Sequence, residues 1–462
     1  MNRFAPLHLR RRPGIRQAYH RVFTLLASCV LLRTSPGFLP GAENRPAYPP
    51  ALPNDASMAT DRTPAFLTSP GTLREGTRIA KTPPTIEFTY YPEQTYPGHP
   101  WSVWGDGVAA TGKYYSSIGD HLAPRGNAFV YEYDPETRKL RTLVNVRKVL
   151  DLPEGHYTPG KIHSRIDLGS DGWLYFGTHR GSTRVTTDQY HYQGDWILRH
   201  DPKSGRTEIV AHGPVPKHCI PSSVLDPDRL IFYGGTAPGN LQDPVMFFAY
   251  DIRQRKVLST VENGPYRYLL FARSTGRVYY VHQDEGPLMR FDPAHPGPPT
   301  RMEATLGLRA ATQETPDGYV HTISTRGDGR LWRFQTRTET SELLGSAAVG
   351  TQDYVASLDA DPTGRYLYYV PGAHGGGQDD GAPVVQFDVA TRTRKVLAFL
   401  HPFYRDHYGF VPLGTFSSAV SEQGDKLYIT WNGNRGGPDA RGRWPFDTCA
   451  LTILHIPAEE RP

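Results

Sequence analysis

Apolar and polar residues alternate with a period of two along much of the chain, in short runs broken by Gly, Asp and Pro. That period belongs to β-strands. One phrase of strand, tight turn and strand recurs. It reads YEYDPETRKLRTL at 131–143, LRHDPKSGRTEIV at 198–210, FAYDIRQRKVLSTV at 248–261 and MRFDPAHPGPPTRM at 289–302. It returns as WRFQTRTETSELL at 332–344 and VQFDVATRTRKVLAF at 385–399. An Asp at the turn suits turn initiation. Each phrase follows a second hairpin with its own turn: LGSDGWLYFG, LDPDRLIFYGG, ARSTGRVYYV, ETPDGYVHTI, ADPTGRYLYYV and SEQGDKLYIT. Two hairpins make a four-stranded antiparallel unit. Seven units begin near Trp101, Lys161, His218, Arg267, Ala311, Tyr354 and Phe416. The spacing predicts an all-β fold, a seven-bladed β-propeller over 85–462.

The repeat also separates two faces. Within a blade, the turns joining first to second and third to fourth strands lie on one face, and here they are short. Loops joining second to third strands lie on the other face and are long: 119–127, 178–195, 234–244, 371–383 and 432–447. Long loops on one face of a rigid scaffold are where function is usually placed.

Composition agrees with a turn-rich β protein: Gly 46, Pro 42 and Tyr 27 in 462 residues. The formal net charge is +5, with part of the excess in the first 21 residues. There a basic run precedes the apolar stretch Val22–Leu32, which is too short for a stable membrane span. This predicts an export signal over 1–42, with a lipobox-like Leu26-Ala27-Ser28-Cys29, and a Pro-rich linker over 43–84. Export, free or as a lipoprotein, follows as an expectation, and so does a monomer. The remainder is near neutral, which gives no case for nucleic acid. Cys219 and Cys449 lie far apart in sequence, where pairing, metal binding and free thiols all stay open, and with Cys29 they make no disulfide framework.

The candidate chemistry gathers in GKIHSRIDLGSDGWLYFGTHRGS, 160–182. His163 is placed at the start of the second blade's innermost strand and His179 at the end of the next. The two imidazoles therefore fall at one level on the long-loop face. His218 holds the matching position in the third blade and is expected beside His163. His121, His282 and His374 fall at strand ends on the same face. Lys161, Arg165, Arg180 and Arg184 flank the pair, with Arg125 and Arg435 from other loops. Alternation turns Arg165 toward the blade interior. Tyr190, Tyr192 and Trp444 supply an aromatic rim. Histidine near neutrality serves as base, acid or metal ligand, and cations hold an anion and neutralise charge developing on it. Together they suit proton abstraction beside a carboxylate, the β-elimination that cleaves uronic-acid polysaccharides.

The GKIHSR…DGWLYFGTHRG hairpin, inside a seven-bladed propeller, resembles the ulvan lyase type of polysaccharide lyase. It is similar, more distantly, to the oligogalacturonate lyases. The resemblance implies an anionic polysaccharide as partner, His163 and His179 as the catalytic histidine pair, and Tyr233 as the tyrosine. His121, Arg180, Arg184, Tyr190, Tyr192, His218 and Arg435 are the expected substrate contacts. The acid–base chemistry requires no cofactor. The families imply a structural zinc in some members and a histidine-bound divalent metal in others, to which His218-Cys219 is the candidate contribution. Two other readings stay open: a non-catalytic surface propeller binding glycan or protein, and a lactonase-type hydrolase with a metal on the axis.

Overall fold

The computed structural model describes residues 50–94, 101–120, 126–295, 297–325, 327–435 and 446–461. Seven antiparallel sheets follow one another along the chain and close into a β-propeller. The first blade is Val108–Ala110, Lys113–Gly119, Ala128–Asp134 and Lys139–Asn145. The second is Asp167–Leu168, Leu174–Gly177, Trp196–His200 and Thr207–His212. The third is His218–Asp226, Ile231–Pro238, Met246–Asp251 and Lys256–Glu262. The next three open on Leu269–Ala272, Ala310–Ala311 and Leu358–Ala360.

The recurring Asp has a local cause. It ends the third strand of a blade, and its carboxylate accepts the backbone N–H two residues on. Asp134 takes Glu136 N at 3.0 Å, Asp201 takes Lys203 N at 2.9 Å and Asp388 takes Ala390 N at 2.9 Å. Where the phrase is degraded, the Gln335 side chain does the same for Arg337 N at 3.1 Å. Each turn thus supplies its own acceptor.

Strand position decides the burial pattern. Lys113–Gly119 is buried on both faces beyond its first residue, whereas the outermost Lys256–Glu262 leaves every second side chain exposed. Aromatic rings fill the gaps between blades. Tyr114 stacks on Tyr428 of the seventh blade at 5.0 Å between centroids, and each such buried ring contributes about 1.5–3 kcal/mol.

The seventh blade is completed from the other end of the chain. Val411–Val420, Lys426–Asn434 and Thr448–His455 supply three strands, and Thr85–Tyr90 pairs along Thr448–His455 as the fourth. In its described part, the Pro-rich stretch read as a linker packs on the last two blades. Ala59–Asp61 extends the seventh sheet, and Arg78–Ile79 runs parallel to Thr393–Phe399 of the sixth. Phe66 is fully buried there. The expected export signal and Cys29 lie outside the described residues. Among the described residues no helix is long and apolar enough to cross a membrane.

Candidate functional site

The histidine hairpin of the second blade is bulged. Lys161 pairs directly with His179, while Asp167 pairs with Tyr175, so the inner strand carries two extra residues between these points. Ser164 Oγ bridges the gap, bonding Gly177 N at 2.8 Å and Gly177 O at 3.0 Å. A bulge re-aims the side chains it carries. His163 and His179 meet edge to face, with centroids 5.2 Å apart. The expected convergence of the two imidazoles is therefore present.

His163 is held in one tautomer. Its Nδ1 lies 2.8 Å from the Pro221 carbonyl, which only accepts, so Nδ1 carries the proton and Nε2 keeps its lone pair. Burial pushes the imidazole well below its ordinary range, and the charges of Lys161, Arg309 and Arg267 add to that. His163 is neutral at pH 7. Trp104 lies beside it, nearly parallel, at 6.1 Å. Gly105 permits this approach: a Cβ there would stand 2.1 Å from the Ser164 carbonyl oxygen.

Other blades complete the mouth of the channel. Arg267 and Arg309 line a cavity of about 20 Å³ with His163, Trp104, Ser222, Ser223, Tyr268 and Phe416, room for one water-sized group. Arg309 Nε donates to the Tyr354 hydroxyl oxygen at 2.5 Å. Its guanidinium lies over the rings of Tyr354 and Phe416, at 5.3 and 5.2 Å. His374 stacks on Tyr354 at 4.4 Å. The Gly-rich loop carrying His374 is anchored there, since Gly372 N and Ala373 N both bond Tyr354 O. Surrounding groups depress the His374 pKa to about 4, chiefly by desolvation and then through Arg309 and Arg267. Lys161 Nζ sits 4.6 Å over Trp104. Burial, with Arg180 and Arg267 nearby, lowers its ammonium to about 7. Among the described residues, Lys161, Arg267 and Arg309 form no ion pair with a carboxylate. The cations of the mouth thus lie against its aromatic rings, Lys161 on Trp104 and Arg309 on Tyr354 and Phe416.

Deeper on the axis the charge reverses. Asp106 accepts from Ser357 Oγ at 2.7 Å, and Asp359 from Ser418 Oγ at 2.6 Å. Burial raises both carboxyls, Asp106 to about 6, against the lowering effect of Arg165. A carboxyl raised on folding contributes stability at low pH that is lost as pH climbs from its unfolded value toward 6. Asp106→Asn removes that loss. The difference in melting temperature, variant minus wild type, is expected to grow between pH 4 and pH 7 and then level off. The ceiling is about 3 kcal/mol. A difference independent of pH would contradict the assignment.

The remaining expected residues divide. Arg165, expected in the blade interior, lines the channel and pairs with Asp167 at 2.9 Å, because it stands two residues on from His163 and shares its side of the strand. Tyr233 is instead a core residue, fully buried and packed on Phe247 and Phe291 between the third and fourth blades. Arg180 is buried and donates to the Pro238 carbonyl at 2.6 Å and Cys219 Sγ at 3.3 Å, tying two blades together. The Tyr192 ring is buried against Tyr157, its hydroxyl 3.1 Å from Cys219 Sγ. His218 turns to Thr236 Oγ1 at 2.8 Å, and Pro221 rather than His218 is the third-blade partner of His163. Tyr190 is half-buried, Arg184 exposed, and Arg435 lies 3.7 Å from Asp447. His282 is exposed, with Nδ1 3.5 Å from the Gly264 carbonyl. His121, Arg125 and Trp444 lie outside the described residues.

Arg267, Arg309, Tyr354 and Trp104 were not among the expected contacts. Two of them had a signal. Arg267 and Arg309 precede the turn glycines Gly276 and Gly318 by the same nine residues that separate His163 from Gly172, all three glycines having positive φ.

The described residues do not fit the metal centre that the resemblance implied. No group of three or more His, Cys, Asp or Glu among them converges on an ion position. The cations around His163 oppose a divalent ion, and burial pushes the Cys219 thiol up to about 12, away from the thiolate that zinc takes. Cys219 and Cys449 are both free and buried.

No family model and no curated protein matches this sequence. Solved structures do. A structure of oligogalacturonate lyase in complex with manganese is 11% identical, covering 87% of this chain and 98% of its own, with a TM-score of 0.51. The WD40 repeats of RRP9 are 12% identical, with 78% and 96% covered and a TM-score of 0.48. A chain of the mitotic checkpoint complex is 11% identical, with 86% and 99% covered and a TM-score of 0.47. At such identities the likeness is one of fold, which does not imply function.

Proposed function

We propose that this chain is an exported polysaccharide lyase that cleaves a uronate-bearing polymer by β-elimination at the channel mouth. One observation carries the reading: among the described residues, a neutral His163 whose Nε2 meets no protein partner stands beside two guanidiniums, Arg267 and Arg309, that lack carboxylate partners. Arg309 is buried, where a charge is ordinarily paired, and Arg267 is exposed beside it, so the site suits a ligand that brings its own negative charge. A uronate carboxylate between Arg267 and Arg309 has its charge neutralised, which acidifies the adjacent C–H. His163 Nε2 takes that proton. The electron pair forms the new double bond as the glycosidic C–O bond breaks. Tyr354 is suited to protonate the departing oxygen, because its own oxygen already accepts from Arg309 and its proton remains to be donated. The half-buried Tyr354 ring, backed by the buried Trp104 and Phe416, is the aromatic surface offered to the sugar ring.

The aromatic surface equally supports a second reading, a glycan-binding propeller without turnover. The two separate on incubation with ulvan, pectate, alginate and glycosaminoglycans. The lyase reading expects growth of the unsaturated-uronate absorbance on one polymer class. Saturable binding without that absorbance selects the second reading, and neither signal removes both.

A further inference from the structure

We infer that Lys161 is a carbonyl-reactive amine, a site at which an anionic aldehyde or 2-oxo acid forms a Schiff base. Lys161 and His179 are paired across two strands, each bonding the other's backbone at 3.1 and 2.9 Å, which places both side chains on one face of the sheet. His163 stands two residues further along the same strand, its ring against His179. The ammonium position lies over the Trp104 ring and forms no ion pair with a carboxylate among the described residues. Nearby cations and a desolvated aromatic surface are the conditions that free a lysine amine as a nucleophile. The lowered affinity of Lys161 for its proton has the same origin.

The neighbours suit each stage of the reaction. Arg267 and Arg309 attract the anionic group of the reagent. The Nζ lone pair attacks the carbonyl carbon, and the C=O π pair moves to oxygen, which takes a proton. The nitrogen loses a proton, the hydroxyl takes a second and leaves as water, and a C=N bond remains. Imidazoles beside the amine serve these proton transfers. The inference rests on the anion-binding reading of the mouth for the attraction of the ligand, though not on turnover.

The experiment uses the full chain at pH 7 with pyridoxal 5′-phosphate, then sodium borohydride, whose hydride fixes the imine as a secondary amine. Peptide mass spectrometry follows adduct growth at Lys161, with the exposed Lys148, Lys203 and Lys256 as internal standards. Lys161 is expected to label at least about tenfold faster than these. Labelling no faster than the standards overturns the inference. A parallel arm uses pyridoxal without its phosphate. Fast labelling of Lys161 that is indifferent to the phosphate keeps the reactive amine and overturns the anion site instead.

Discussion

His163→Ala is expected to abolish elimination, lowering kcat on the responsive polymer by about 10²–10⁴-fold, the range for loss of a positioned general base. The substrate KM should change little, because a neutral imidazole is not what holds the anion. Folding should survive: the side chain is only partly buried and its one described hydrogen bond is to the Pro221 carbonyl. Circular dichroism and the melting temperature check that point, and His163→Gln offers a second variant that keeps a donor. Unchanged kcat in both would move the base to another residue and end the role assigned to His163. Wild-type kcat should also show no acid limb near 6.5 from this residue, because its imidazole titrates well below that.

Arg309→Leu should weaken binding of the uronate by about 10- to 100-fold, the loss expected for a charge-assisted hydrogen bond. A second effect distinguishes electrostatics from structure. The Arg309 charge is one cause of the low His163 pKa. Removing it raises that pKa, so the acid limb of the pH–rate profile moves to higher pH. Arg309→Lys retains the charge and should restore the limb while recovering only part of the affinity, since a lysine lacks the fork that reaches Tyr354. An Arg309→Leu enzyme with unaltered KM and unaltered acid limb would exclude Arg309 from the site. Equilibrium binding measured on His163→Ala isolates the affinity term from the chemistry.

Tyr233 and Tyr354 show where inference from the chain alone stops. Both are aromatic residues on propeller strands. Tyr233 sits in the middle of a second strand, where neighbouring blades cover both faces, and so becomes core. Tyr354 stands ahead of an innermost strand at the channel mouth, beside a guanidinium from the preceding blade. Alternation assigns a side chain to a face of its own sheet, yet the next blade decides whether that face is open. Arg165 and Arg180 exchange their expected positions, and in each the neighbouring residue or blade decides. Arg165 stands two residues on from His163 and lines the channel with it, whereas Arg180, next to His179, turns to Pro238 and Cys219 of the third blade.

The repeat, the number of blades and the face carrying the histidine pair were all settled by residues close in sequence. A turn Asp bonds an N–H two positions on, and a hairpin pairs residues a few positions apart, so a short stretch of chain contains the whole interaction. Four other features depend on the ring. Thr85–Tyr90 finds the far end of the chain, Pro221 orients His163, Arg309 binds Tyr354, and Asp106 lies with Asp359 on the axis. Their partners come from other blades, and a charge or an imidazole acquires its protonation state from everything packed around it. Local pattern therefore determines strands and their order, and only closure of the propeller decides which side chains share a site.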